Sequence, residues 1–194
     1  MPEPATVTLA APARRGWFGK LPTHGDFVRS GLPEDTVAAW DGWVRAGLAA
    51  SREVLGERWL AAFLEAPVWR FRLAPGLAGA AGLVGVVAPS VDRAGRYFPL
   101  MLGATMERPP EPSEALPWFD ALAAAAADAV VEDWPQARLA QVMEAAGEPP
   151  EASVLHSGAT FATEGAPRVA PALRRSAALP PPAVFAALLD DGAG

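Results

Sequence analysis

The sequence contains no cysteine, which excludes disulfides, thiolate metal sites and a cysteine nucleophile. It also lacks isoleucine and asparagine, and it has fifteen arginines but only one lysine, Lys20, and one tyrosine, Tyr97. This bias is typical of a GC-rich genome that avoids AT-rich codons. Either these two residues persist by coincidence, or their side chains do something that arginine or phenylalanine cannot do.

Long basic runs are also missing. The net charge is −6, and no run of lysine or arginine exceeds two residues. Proteins that bind nucleic acid or anionic membranes normally carry a basic face or stripe. We therefore expect no nucleic-acid partner and no membrane partner. The composition does not exclude a local site for a single anion.

No segment has the pattern of a membrane span or a leader. The longest apolar stretch, around residues 77–87, is rich in glycine and alanine and too short to cross a bilayer. Residues 1–13 do not combine a basic region with a following apolar region, as a secretory signal does. The expected location is the cytoplasm.

The composition predicts a single domain with a sizeable core, because 51% of the 194 residues are hydrophobic and only 20% are charged. Residues 1–15, with three prolines and many small residues, are predicted to be a mobile tail. Residues 16–150 are predicted to form an α/β domain. Residues 151–194 are predicted to add a strand, an irregular segment and a short helix that pack on the same domain.

Helix signals lie on both sides of a strand-rich middle. Pro33 and the acids after it open a helix in which Val37, Trp40, Val44 and Leu48 recur at helical spacing. Gly42 and Gly47 weaken this helix, so we expect close packing against the face that carries them. Further helices are predicted over residues 59–64, 118–131, 138–146 and 184–189.

The middle of the chain reads as strands. Residues 69–73 alternate apolar and arginine residues, and residues 83–88 form a continuous apolar run. Residues 97–102 contain Pro99, which predicts an edge strand or a bulge, and the short connection before them predicts antiparallel pairing. Shorter strands are predicted at residues 17–21 and 153–157, and residues 164–182 are predicted to be irregular. The fold class is therefore α/β: a three-layer sandwich with a mixed, largely antiparallel central sheet covered by helices on both faces.

The first segment with chemical potential spans residues 19–28 and contains Lys20, His24 and Asp26. In one interpretation, the histidine is a catalytic base oriented by the aspartate, or the two residues are metal ligands. A metal site usually needs three or four ligands, and the only other histidine is His156. The other interpretation, which we favour, is a tight turn in which Asp26 caps a backbone amide. No metal site and no cofactor are predicted.

The second segment spans residues 89–100. It places Ser90, Asp92, Arg93, Arg96 and Tyr97 between two apolar strands. One interpretation is a hairpin tied together by Asp92 and an arginine. The other is a recognition loop, since arginine forks suit carboxylates and phosphates.

Established catalytic patterns are missing: the sequence has no nucleophile elbow, no P-loop and no zinc-protease helix. Two alternatives to a simple binding protein remain. One is a hydrolase that uses His24, Asp26 and Ser90, and the other is a phosphate- or nucleotide-sensing domain that uses Lys20, Arg93 and Arg96. Replacement of Glu111, in a proline-rich loop, by alanine is expected to change stability by less than about 0.5 kcal/mol.

Five blocks in order resemble the TagF family of type VI secretion-associated proteins. They are Gly16-Trp17-Phe18-Gly19-Lys20-Leu21-Pro22 continuing to Gly25-Asp26-Phe27-Val28, then Trp40-Asp41-Gly42-Trp43, then Ala66-Pro67-Val68-Trp69-Arg70-Phe71, then Pro89-Ser90-Val91-Asp92-Arg93, and finally Gly95-Arg96-Tyr97-Phe98-Pro99-Leu100. Together they cover residues 16–102, and beyond about residue 105 the match fades to a general pattern.

The resemblance implies a three-layer α/β fold without known enzymatic activity. It implies a cytoplasmic, post-translational repressor of type VI assembly, linked to the forkhead-associated scaffold protein and to regulation by threonine phosphorylation. No catalytic residue comes with the family. We predict that the two segments lie together on one surface and bind a protein partner there. The candidate partner-binding residues are Lys20, His24, Asp26, Ser90, Asp92, Arg93, Arg96 and Tyr97.

Overall fold

The computed structural model describes residues 13–193 and joins their strands in one seven-stranded sheet. The strands are β1 (Arg14–Gly19), β2 (Val28–Ser30), β3 (Trp69–Leu73), β4 (Gly82–Ala88), β5 (Leu100–Met106), β6 (Ala159–Thr163) and β7 (Ala172–Ser176). Their order across the sheet is β2-β1-β5-β4-β3-β6-β7, and every neighbouring pair is antiparallel. The predicted α/β class is confirmed. The predicted mixed sheet is corrected to a fully antiparallel one within the described residues.

Four α-helices accompany the sheet in the described part of the chain. They are α1 (Glu34–Leu55), α2 (Trp59–Leu64), α3 (Leu116–Val131) and α4 (Gln136–Ala146). The predicted positions of all four are confirmed to within two residues at each end, apart from the longer reach of α1. A 3₁₀ helix, Pro182–Leu188, occupies the place of the last predicted helix. None of the described helices is both long enough and apolar enough to cross a membrane.

The buried apolar side chains form two clusters. Trp40 and Val44 of α1 belong to the first, where the indole of Trp40 stacks on the ring of Phe71 in β3 at 4.6 Å between centroids. The second cluster contains buried side chains of α3 and α4 together with side chains of β1, β4 and β5. Successive residues Met101 and Leu102 of β5 join different clusters, as expected for a strand whose side chains alternate. The predicted packing of Trp40 and Val44 onto the sheet is confirmed.

The structure corrects two sequence-based predictions about where strands begin and which neighbours they have. The strand β1 begins at Arg14, inside the segment 1–15 assigned to the tail; residues 1–12 of that segment lie outside the described residues. The strand β5 starts just after Pro99 and has neighbours on both sides, so the predicted edge or bulge was wrong. Proline is compatible with this position because it precedes the ladder of hydrogen bonds.

The C-terminal quarter differs most from expectation. Residues 153–157 form no strand; the strand lies later, at β6. Arg72 explains this, because its guanidinium donates to the carbonyls of His156, Ser157 and Gly158 at 3.0–3.2 Å and so turns that backbone toward a side chain. The predicted irregular segment contains β7, whose half-exposed residues show no apolar alternation.

Candidate functional site

The segments around Lys20 and Asp92 meet at one end of the sheet. The first follows β1 and the second precedes β5, and these strands pair antiparallel with Phe18 opposite Met101. The end of one strand therefore lies beside the start of the other. The amide of Arg93 donates to the carbonyl of His24 at 2.9 Å. The predicted proximity of the two segments is confirmed.

Asp92 is the centre of the contacts between the segments. Its carboxylate accepts hydrogen bonds from the Lys20 ammonium, from the Arg96 guanidinium at 2.7 Å, and from the amides of Ala94 and Arg96 at 2.9 Å. Burial acts to raise the pKa of Asp92, but the bonds from Lys20, from the Arg96 amide and side chain, and from the Ala94 amide outweigh it. The pKa therefore lies below its ordinary value, and the carboxylate stays ionised.

Lys20 points into the protein. The residue is 4% exposed, and its ammonium lies 4.9 Å from the centre of the Phe27 ring, which stacks on Phe18. Its carbonyl accepts a hydrogen bond from the hydroxyl of Ser90 at 2.8 Å. A compact ammonium fits between a carboxylate and an aromatic face, where the broad planar fork of arginine needs more room. This gives the single lysine an internal role.

Tyr97 also faces inward in part. Its ring makes edge contacts with Trp59 and Phe63 of the helix α2 segment, at 6.1 and 5.9 Å between centroids. The residue is half-buried. Its ring therefore fixes the end of the loop to α2.

His24 is held by neutral partners. The hydroxyl of Thr23 donates to the carbonyl of Trp134 at 3.0 Å, so it accepts from Nδ1 of His24 at 2.9 Å. The amide nitrogen of Gln136 then donates to Nε2 at 3.1 Å. This pattern assigns the ring a proton on Nδ1 and an acceptor on Nε2. The ring ties the first segment to the start of α4.

The three residues of the hydrolase alternative have separate partners. Asp26 is exposed and its carboxylate accepts from the Phe27 amide at 2.7 Å, while the Ser90 hydroxyl is buried against Lys20. Within residues 13–193, no hydrogen bond joins His24 to Asp26 or to Ser90. A general base must lie about 3 Å from the group it deprotonates. The contacts therefore give that alternative no support.

The exposed part of this region is smaller than the candidate list. We define the motif surface as the exposed residues Gly25, Asp26, Arg93, Ala94, Gly95 and Arg96. Arg96 is partly committed, since it binds Asp92 and donates to the carbonyl of Gly25. The Arg93 guanidinium makes no hydrogen bond or ion pair to any described residue. Lys20 and Arg96 bind the protein's own Asp92 and Arg93 does not, so the three cations do not form one site for an external anion.

Sequence reasoning missed a second polar cluster. Arg72 and Glu111 form an ion pair at 2.8 Å, and their side chains are 2% and 10% exposed. Thr160 donates to the same carboxylate at 3.1 Å. Glu111 is buried, which argues against the small stability change expected for its replacement by alanine. The sequence holds no local signal for this pair, because Arg72 is distant in the chain; the capping box of Glu111 and Glu114 concerns only the start of a short 3₁₀ helix, Pro112–Glu114.

Within the described residues, no three His, Asp or Glu side chains are grouped so that they could hold a metal ion.

Comparisons with known proteins agree with the sequence blocks. A family model described as the TagF N-terminal domain, type VI secretion system-associated, matches residues 16–146. The crystal structure of PA0076 from Pseudomonas aeruginosa PAO1 superposes with a TM-score of 0.80 and 29% sequence identity, covering 91% of this chain and 94% of that chain. A comparison with curated proteins finds no match. Both chemical segments fall inside the residues matched by the family model. The chain therefore belongs to the TagF family of type VI secretion system-associated proteins.

Proposed function

We propose that this protein is a cytoplasmic, non-enzymatic regulator that binds a type VI secretion component through the motif surface and keeps assembly inactive. Membership in the TagF family supports the pathway. The observation that carries the binding role is Arg93, an exposed guanidinium without a partner in the described chain, on a loop that is fixed from inside.

The loop around Arg93 is ordered before any partner arrives. The buried Lys20–Asp92 pair anchors its base, and the amides of Ala94 and Arg96 bind the same carboxylate. A preorganised loop loses less conformational entropy on binding than a free one. Arginine is also among the residue types that dominate interface hot spots. These features favour a protein partner over a catalytic role.

The rest of the fold is a rigid support in this proposal. We infer three layers, with α1 and α2 on one face of the sheet and α3 and α4 on the other. The two separate core clusters support this arrangement. Such a support keeps the motif surface in one geometry at the end of β1 and β5.

The proposed partner is the forkhead-associated scaffold protein, which the family resemblance implies. Arg93 suits a carboxylate or a phosphate on that partner, because a guanidinium binds either group with two parallel hydrogen bonds. Asp26 and the Arg96 guanidinium, which is 59% exposed, lie in the same motif surface and add both charge signs.

A pull-down from cells that express the secretion system tests the proposal. The tagged chain should recover a type VI component under repressing conditions, and Arg93→Glu should lose it. Arg108→Glu is the matched control, because Arg108 follows the far end of β5 and pairs only with Glu151 among the described residues. Recovery of no type VI component by the unmodified chain contradicts the proposal. Equal recovery by both variants contradicts the assigned surface.

A further inference from the structure

The two edges of the sheet are unlike. At one edge β2 has three residues, and the chain after it closes tightly on β1: a Cβ on Gly31 would lie 1.8 Å from the carbonyl oxygen of Arg15. At the other edge β7 has five residues, and in the described chain its outer side has no strand beside it. An unpaired edge of this length presents backbone donors and acceptors to another chain.

A groove lies on each side of β7. One has a volume of about 330 Å³ and includes Leu173 and Arg175 with Leu116. The other has a volume of about 160 Å³ and includes Arg174 with Phe161 and Val184. A strand added to an edge points its side chains alternately to the two faces of the sheet. Its side chains would therefore enter both grooves in turn.

We propose that β7 binds an extended segment of another protein as an eighth strand, and that this segment carries a carboxylate two residues from an apolar side chain. Recognition of this kind combines main-chain hydrogen bonds with pockets for alternate side chains. The spacing follows from β7 itself, where Leu173 and Arg175 are two residues apart and so share a face.

Arg175 supplies the charge selectivity. Its side chain is 61% exposed and makes no hydrogen bond to a described residue. It forms a long ion pair with Glu111, at 3.8 Å to Oε2, while Arg72 binds the other oxygen, Oε1, at 2.8 Å. An incoming carboxylate would give the Arg175 guanidinium hydrogen bonds that it lacks. Leu173 is 56% exposed and Leu116 is 47% exposed, so the neighbouring position takes an apolar side chain.

Two registers of a second copy are disfavoured at this edge. Antiparallel pairing of two β7 strands about Arg174 puts that residue opposite its own copy, and a shift of one residue toward the C-terminus puts Arg174 opposite Arg175. Like charges directly opposite each other destabilise a strand pair. The opposite shift puts Arg174 opposite Leu173 and lacks this penalty, so dimerisation is one outcome of the test. The exposed Arg175 favours a different, acidic segment as the occupant.

This surface is separate from the motif surface. Four strand spacings of about 4.8 Å separate β5 from β7, or about 19 Å across the sheet. The strand β7 also lies beyond residue 146, where the matched family domain ends. The inference thus goes beyond the proposed function and does not depend on it.

The test uses the full chain and two synthetic peptides, Ac-Thr-Thr-Glu-Thr-Val-Thr-Thr-NH2 and the same peptide with lysine in place of glutamate. Titration followed by NMR should show the glutamate peptide shifting amide signals of residues 172–176, with an affinity at least about tenfold above that of the lysine peptide, the worth of one charge pair. Slower amide exchange in β7 should accompany binding.

Charge reversal then checks the assignment. Arg175→Glu should lose the preference for the glutamate peptide, while Arg108→Glu should keep it, and the amide spectra should show that both variants retain the parent's fold. The inference is overturned if neither peptide shifts β7, if the two peptides bind equally, or if Arg175→Glu leaves the preference unchanged. It is also overturned if the chain dimerises through β7, since a second copy then occupies the edge. The result at Arg93 affects none of these readouts.

Discussion

The ammonium of Lys20 donates a hydrogen bond to the carboxylate of Asp92, and both residues are less than 5% exposed. The pair joins the end of β1 to the loop between β4 and β5. The exposed Arg93 is the next residue in that loop. The interior of the protein therefore sets the conformation of the surface proposed to bind a partner.

Replacing Lys20 by methionine should destabilise the fold strongly, because it leaves the buried carboxylate of Asp92 without its ammonium partner. The denaturation midpoint should fall several times further than in the control Arg108→Met. That control removes an exposed pair between Arg108 and Glu151. Equal midpoints for the two variants would show that the buried pair does not anchor the loop.

The contribution of Asp92 to stability should depend on pH in the acid range. Its pKa in the folded protein lies below the ordinary value of 3.8, so the stabilisation is present above that value. This stabilisation is lost as the pH falls from the ordinary pKa through the lower pKa that Asp92 has in the folded protein. The stability gap between the parent and Asp92→Asn should therefore narrow below pH 3.8.

Urea denaturation at a series of pH values measures that gap. Asp120→Asn, which removes an exposed carboxylate on α3, should retain the parent's acid-dependent loss because Asp92 is intact. A gap for Asp92→Asn that is constant from neutral pH to strong acid would contradict the assigned environment.

Two glycines of α1 should respond oppositely to alanine. A Cβ on Gly47 would lie 2.1 Å from a ring carbon of Phe185, so Gly47→Ala should cost about 1–3 kcal/mol through overpacking. A Cβ on Gly42 meets nothing described within 4 Å, so Gly42→Ala should gain about 0.5–1 kcal/mol of helix stability. Melting curves of the two variants test this, and shifts of the same sign would refute the assigned faces.

Glu111→Ala should destabilise by about 3–5 kcal/mol, because it removes the carboxylate that balances the buried charge of Arg72. This reverses the expectation drawn from the proline-rich loop. Glu151→Ala is the control, since its pair with Arg108 is largely exposed and is worth about 0–1 kcal/mol. Chemical denaturation should separate the two variants clearly; a Glu111 variant as stable as the control would contradict the cluster.

The sequence predicts the elements whose burial pattern is strong. The helix α1 has apolar residues at helical spacing, β3 alternates, and β4 is a continuous apolar run, and all three lie where expected. The strand β7 was not predicted because it is largely exposed and its two arginines are adjacent, so it shows no alternation of apolar and polar residues. The strand β6 was displaced because Arg72, far away in sequence, binds the backbone just before it. The local sequence pattern gives no information about such long-range contacts.

Prediction of the candidate functional site from the sequence is limited in the same way. The meeting of the two segments followed from their density of polar groups, but the direction of each side chain did not. Lys20, Ser90 and Asp92 turn inward, whereas Arg93 and Asp26 remain exposed. Residue type alone does not distinguish a buried arginine such as Arg72 from an exposed one such as Arg93. Only the three-dimensional contacts separate anchoring residues from candidate binding residues.

Repression of type VI secretion by Arg93→Ala tests the central claim most directly. The variant should melt at the temperature of the parent, since Arg93 has no side-chain partner among the described residues, and should no longer repress secretion. Arg108→Ala should keep both properties. Arg93 is preferred to Arg96 because Arg96 also holds the loop through Asp92. An Arg93→Ala protein that is folded like the parent and represses secretion fully would contradict the account.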